Sequence, residues 1–149
     1  MELEKEIFNK TFDCNYNKAV VNVIYTYGWL TNHLKALLDK HNLTHQQYNV
    51  LRILRGQQPN PATINLIKER MLDKMSDASR IVDRLVQKKL VTRSTNKKDR
   101  RAVDISITQK GLDVLSEIRL DETTRDWLSP NLNEEEAAQL NLLLDKLRG

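Results

Sequence analysis

Four cations in five residues, Lys97, Lys98, Arg100 and Arg101 around Asp99, stand just before a strictly alternating run. In that run Val103, Ile105 and Ile107 alternate with Ala102, Asp104 and Ser106. Clustered cations do no bond chemistry alone; they attract a polyanion, and a short apolar strand gives them a fixed position from which to do so. A second group lies upstream, where Ser76, Asp77, Ser79, Arg80, Asp83, Arg84 and Lys88 fall on one side of a helical pattern spanning about residues 76–88. Ala78, Ile81, Val82 and Leu85 fall on the other side. Arginine and serine donate to phosphates and base edges, while Asp77 or Asp83 can accept a cytosine amino group or pair with an arginine. From Lys68 to Arg101 there are twelve Lys and Arg against five Asp and Glu, net +7; from Leu112 to Gly149 there are four against nine, net −5. A merely solvated charged surface would not confine its cations to the exposed side of one helix and to one hairpin tip.

Other chemistries find little support. The chain has no Gly-rich phosphate loop, no Gly-x-Ser-x-Gly elbow and no His-x-x-x-His pair with an adjoining glutamate, so catalytic residues and an enzyme activity are not expected. His41 and His45 have the right interval, but they straddle a helix start and no histidine follows them, so with His33 they are read as surface or interface residues. No metal and no cofactor is expected. Cys14 is the only cysteine, which excludes a disulfide framework and a multi-thiolate cluster.

The elements that must position these groups follow from periodicity. The 149 residues suit a single domain, residues 1–149, with 40% apolar and 30% charged residues, only four Gly and three Pro, and no apolar run long enough for a bilayer. The acidic, polar start, "MELEKEIFNK", lacks the features of a secretory signal, so a soluble, cytoplasmic protein without membrane attachment is expected. Val20, Val23, Tyr27, Leu30, Leu34 and Leu37 step by three and four and predict a helix over 16–40 with a seam for a partner helix. Thr44 and Gln47 form a capping box, Leu43 staples onto Tyr48, and Gly56 ends that helix. Asn60 and Pro61 are read as the start of a short helix through about Leu72, with Ile64, Ile67 and Met71 inward. Leu90 to Arg93 and Val103 to Ile107 predict a hairpin, the latter strand anchored by Val103, Ile105 and Ile107. Thr108 caps one long helix carrying Leu112, Leu115, Ile118 and Trp127 to Ser129-Pro130, and Asn133 starts the last, with Leu140, Leu143, Leu144 and Leu147 on one face. The fold class is mainly α with a small β-hairpin. Two short helices and a hairpin, residues 43–110, make a winged helix-turn-helix whose second helix enters a DNA major groove. Residues 1–40 and 112–149 supply dimerisation helices.

These residues resemble the MarR regulators, dimeric winged-helix DNA-binding proteins, over almost the whole chain. The strongest part is "SRIVDRLVQKKLVTRSTNKKDRRAVDISITQKG", Ser79 to Gly111, similar to the family's recognition helix, first strand, Asp-x-Arg wing and Thr-x-x-Gly helix opening. The resemblance implies that Arg101 enters the minor groove and that Asp99 orients nearby arginines, Arg84 among the candidates. It further implies that Ser76, Asp77, Ser79 and Arg80 face bases or phosphates, and that the terminal helices build the dimer. Two departures are visible: Lys89 stands where the family usually has glycine, and "IKERMLDKM" replaces the commoner Leu-Ala pair and glycine turn.

The reading is a homodimeric transcriptional regulator, a repressor, of a double-stranded DNA operator. Tyr25, Tyr27, Trp29, His33 and Tyr48 could line a cavity for a small aromatic effector such as the family binds, although aromatic residues at helical spacing are more often core or interface. Two alternatives stand beside it. One is a dimeric protein-interaction module whose winged lobe has lost DNA binding. The other is a thiol-responsive regulator using Cys14; the family's hydroperoxide-sensing cysteine would align with Val20, and only Lys10 and Lys18 are near to activate Cys14.

Overall fold

The computed structural model describes residues 2–8, 11–96 and 103–149. Its order is α1 (Leu3–Glu6), α2 (Asn15–Asp39), α3 (His45–Gln57), α4 (Ile64–Arg70), α5 (Ala78–Gln87), β1 (Val91–Thr95), β2 (Val103–Ile107), α6 (Gln109–Ile118), α7 (Leu120–Leu128) and α8 (Glu134–Arg148). The strands are antiparallel, Val91 opposite Ile107 and Thr95 opposite Val103. This is the mainly helical architecture with one hairpin that the sequence predicts.

One core holds the lobe together. Tyr48, Val50, Leu51 and Leu54 of α3 meet Ile67 and Met71 at α4, Val82 and Leu85 of α5, Ile105 of β2, and Leu115 and Ile118 of α6. Each fully buried aliphatic side chain here contributes about 1.5–3 kcal/mol of transfer free energy, so the inward faces of α3, α5 and α6 decide where those helices sit. Thr44 closes the capping box with Gln47 as expected, each accepting the other's backbone N–H at 3.2 Å. Leu43 and Tyr48 are both buried beside it.

Several boundaries differ from the sequence reading, each for a visible reason. Helix α3 runs through Gly56 to Gln57. Helix α4 does not start at Asn60-Pro61, because Ala62 is used as a strand residue: its N–H and C=O both bond Ile105, at 2.9 Å each. Thr63 caps α4 instead. Helix α5, expected from about residue 76, begins at Ala78, with Asp77 as its cap. Val103 is 43% exposed and does not anchor the wing; Ile105, fully buried, and Ile107 do. The long helix after Thr108 is broken at Arg119, whose backbone is left-handed (φ 40°, ψ 46°), giving α6 and α7. Arg119 turns the chain after Ile118, the last core residue of α6. A short α1, which the polar N-terminus did not suggest, docks Leu3 and pairs Glu4 with Lys18.

The departure at Lys89 is accommodated rather than avoided. Lys89 has φ 61°, the left-handed conformation, and its N–H bonds the Val86 carbonyl at 2.9 Å while Leu90 N–H bonds Leu85 at 3.0 Å. That pair of bonds is a Schellman end for α5 with lysine where glycine is usual. Lys89→Gly is therefore expected to raise the urea-unfolding free energy by about 0.5–1 kcal/mol, relieved strain exceeding the added freedom of the unfolded chain. Gly111→Ala should do the reverse of an ordinary glycine replacement in a helix. A Cβ there would lie 2.5 Å from the Leu90 carbonyl oxygen and 2.7 Å from Ile107 Cγ1. A loss of about 1–3 kcal/mol is expected in the same measurement, against a gain of about 1 kcal/mol from helix propensity alone.

Candidate nucleic-acid interface

Helix α5 separates its faces cleanly. Ala78, Val82 and Leu85 are buried, while Asp77, Ser79, Arg80, Asp83 and Arg84 are exposed. Asp77 Oδ1 accepts the Arg80 N–H at 3.1 Å, satisfying a helix-end donor, so this carboxylate is held at the N-terminus of α5. Ser76 precedes the helix and donates to Asp73 Oδ2 at 2.6 Å. Asp73 also accepts the Met75 N–H at 3.0 Å, and these two bonds, the serine's above all, hold its carboxyl below the usual carboxylate range. The α4–α5 turn is thus built on an aspartate rather than on glycine.

Arg80 and Arg84, one turn apart, make no side-chain hydrogen bond to another described residue and share an open cleft of about 320 Å³. Its other walls are Ser76, Asp77, Ile81 and the start of α3 with Thr44, Gln46 and Gln47. Four of the five recognition residues taken from the sequence, Ser76, Asp77, Arg80 and Arg84, line this one cleft. Ser79 is exposed on the same helix.

Two side chains that sequence reasoning did not assign brace the helix. Asp83 forms an ion pair with Arg93 of β1, tying α5 to the base of the hairpin. The sequence left Asp83 open between a base and an arginine; ten residues apart, the pair carries no periodic signal. Lys88, taken as an outward cation, instead donates to the Asn42 carbonyl and, at 3.1 Å, to Gln47 Oε1. Burial, then the neighbouring Arg84 charge, pulls its pKa below the usual lysine value. At the wing, Asn96 Nδ2 donates to Asp104 Oδ1 at 2.8 Å across the strands. Lys97, Lys98, Asp99, Arg100 and Arg101 lie outside the described residues.

Residues 43–103, from the helix after α2 through the wing, match the model of the MarR family. The chain carries a MarR-family domain. Over 133 residues, 87% of this chain and 89% of the relative, it is 29% identical to the HTH-type transcriptional regulator MhqR of Bacillus subtilis (strain 168). Its fold is similar to that of MepR from S. aureus in a DNA complex, with TM-score 0.75 and 22% identity over 90% of this chain and 96% of that one. It is also similar to the organohalide-sensing RdhR-CbdbA1625 transcriptional regulator in its 2,4-dichlorophenol-bound form, with TM-score 0.80 and 18% identity over 95% of this chain and 86% of that one. The hairpin after α5 is the wing of the winged helix-turn-helix these structures share.

Around the MarR-family lobe, the aromatic residues considered for an effector do not converge on one cavity. Tyr25 and Trp29 border a cleft of about 200 Å³ with Leu3, Glu6, Asn22 and Thr26, and Tyr25 donates to Glu6 Oε2 at 3.1 Å. His33 packs at a 44° tilt against Trp29, ring centroids 4.2 Å apart, meets Trp127 edge-on at 5.4 Å between centroids, and donates from Nδ1 to the Trp29 carbonyl at 2.9 Å. Tyr48 is buried elsewhere, accepting from Arg52 at 3.2 Å and lining a separate cleft with Arg55, Arg119 and Asp121. Cys14 is exposed and caps α2, its Sγ accepting the Asn17 N–H at 3.5 Å. Lys18, counted as a possible activator of that thiol, is paired with Glu4. His41 faces Glu117 at 3.6 Å. Among the described residues no three His, Cys, Asp or Glu side chains form a metal-holding group.

His45, the first residue of α3, is pushed below its ordinary pKa by burial, with Asp73 opposing only in part. The folded state thus binds fewer protons there than the unfolded chain, so stability is full above an unfolded pKa of about 6.5 and is lost as pH falls through it. Urea midpoints should drop between pH 7 and pH 5, and His45→Gln should flatten that dependence.

Proposed function

We propose that this chain is a homodimeric transcriptional regulator, acting as a repressor in the cytoplasm, that reads a pseudo-palindromic double-stranded DNA operator. Helix α5 enters the major groove and the wing the flanking minor groove. The observation that carries this reading is the α5 surface itself: Arg80 and Arg84, unpaired to any described residue, with Ser79 and the capped N-terminus, stand on one side of a helix whose other side is core. The relative bound to DNA supports it. A relative bound to 2,4-dichlorophenol supports release by a small aromatic effector, with the Tyr25 and Trp29 cleft the better placed half of the aromatic set.

The dimer reading rests on exposed apolar surface. Val20, Ile24 and Tyr27 on α2 and Leu142, Leu143 and Leu147 on α8 are each more than half exposed, although their spacing is that of buried faces. Pairing two copies through α2 and α8 covers them. Light scattering at micromolar concentration should give twice the 17.4 kDa chain mass; a monomer would contradict the two-half-site operator.

Titration against random duplex DNA separates a regulator from a protein-interaction module. Binding that weakens steeply with salt is expected, and no binding at low salt would remove the DNA reading. At the wing, Arg101 is proposed to occupy the minor groove with Asp99 positioning it. Arg101→Ala should weaken operator binding and relax preference for A·T-rich flanks, where narrow grooves attract arginine. Lys97→Ala should weaken all duplexes alike and lower the salt slope by about one. Asp99→Ala should resemble the Arg101 variant despite losing a negative charge; a rise in operator affinity would make the tip only a basic patch.

A further inference from the structure

The two ends of α5 are held differently. At its N-terminus the helix is capped locally by Asp77. Along its length Val82 and Leu85 pack on the core, which sets how closely α5 approaches α3. At its C-terminus, by contrast, an open cleft of about 540 Å³ separates α5 from the end of α2. Asp39, Asn42, Leu43, Thr44 and Gln47 form one wall, and Arg84, Gln87 and Lys88 the other. Beyond the shared core of Leu38, Leu43, Val82 and Leu85, the walls of this cleft are mostly polar, so the end of α5 meets the turn after α2 through polar contacts.

Lys88 spans it. Its ammonium reaches the Asn42 carbonyl in the tight turn that follows α2, where Asn42 has φ 54°. It also reaches Gln47 Oε1 at 3.1 Å, the same oxygen that accepts the Thr44 N–H in the α3 capping box. Gln47 is the one buried polar residue among those described, 3% exposed, so this acceptor is itself immobile. A cation placed against carbonyls at the end of α2 is also favoured by that helix's dipole. The backbone of the turn after α2, the Gln47 side chain of α3 and the Lys88 side chain at the end of α5 therefore meet at one ammonium group.

We propose that Lys88 is a positioning residue that sets the tilt of the recognition helix relative to α2, and through α2 the separation of the two recognition helices in the dimer. The inference rests on the dimeric DNA-binding reading above. Lys88 is engaged with protein acceptors, so it acts on operator geometry and not as a phosphate contact.

The test uses the full chain and an operator selected by the wild-type protein from a random duplex library, with its central spacer then changed by one base pair in each direction. One base pair shifts a half-site by about 3.4 Å and about one tenth of a turn. The wild type should discriminate against altered spacers about tenfold or more, as the loss of well-made charged contacts would give. Lys88→Met, which keeps the stem and removes the charge, should reduce that discrimination to threefold or less while affinity for random duplex and the salt slope stay unchanged. If Lys88→Met is unfolded by circular dichroism, Lys88→Gln, neutral and too short to span the cleft, should give the same loss. Gln47→Glu, which preserves both the capping box and the acceptor, should discriminate as sharply as the wild type. Wild-type spacing preference in a folded Lys88 variant overturns the proposal, as does a salt slope lowered by about one, the mark of a phosphate contact. A wild-type protein that binds no DNA, or is indifferent to spacing, fails at the underlying reading, and that failure is visible before any variant is made.

Discussion

The winged lobe depends on one closure, where the end of α5 meets the start of α6. Thr108 N–H bonds the Leu90 carbonyl at 3.0 Å, and Thr108 Oγ1 donates to the Lys89 carbonyl at 2.9 Å while accepting the Gly111 N–H at 3.1 Å. A single threonine thus ends the hairpin, caps α6 and fastens both to the turn that stops α5. Gly111 completes the joint, since a side chain there would collide with the Leu90 backbone. Without this closure the hairpin would be a two-stranded ribbon, which is marginally stable alone in water.

From that joint the rest of the lobe follows. The β1–β2 register places Ile105 under α3 and α4, and the Ala62 bridge adds a short third edge to the hairpin. With its inner face committed to Tyr48, Leu51, Ile67, Val82 and Leu85, the lobe can leave the opposite face of α5 to Ser79, Arg80, Asp83 and Arg84. The ion pair between Asp83 and Arg93 lies half in solvent, where such pairs contribute only about 0–1 kcal/mol, so its value is in fixing the wing root against α5 more than in stability.

The terminal helices obey a different logic. Helix α2 is 25 residues long, yet Leu38 is its only fully buried residue, and α8 buries none. Both are well-formed helices with capped starts, Cys14 for α2 and the Asn133–Glu136 box for α8, but within one protomer their apolar stripes meet water. Helix α6, by contrast, joins the lobe core through Leu115 and Ile118 before Arg119 redirects the chain into α7. The chain is therefore a finished winged lobe carrying unfinished helices, which is the physical basis for expecting a partner copy.

The sequence by itself determined the elements that local rules govern. The capping box at Thr44, the helix start at Asn133, the cap at Thr108, the helical stripe of Ala78, Val82 and Leu85, and the alternation of Ile105 and Ile107 all depend on neighbours within a few residues. Their signals therefore survive in one dimension, and the MarR-like order of helix, hairpin and charged wing could be read from them. The tertiary structure decided what depends on residues far apart in the chain. Ala62 became a strand residue because Ile105 lay beside it, and Asp83 acquired Arg93. Lys88 turned from an outward cation into a strap because Asn42 and Gln47, more than forty residues earlier, came within reach of its ammonium. Tyr25 on α2 and Tyr48 on α3, grouped from the sequence as one aromatic set, parted into separate clefts, since packing and not periodicity assigns a side chain to a cavity.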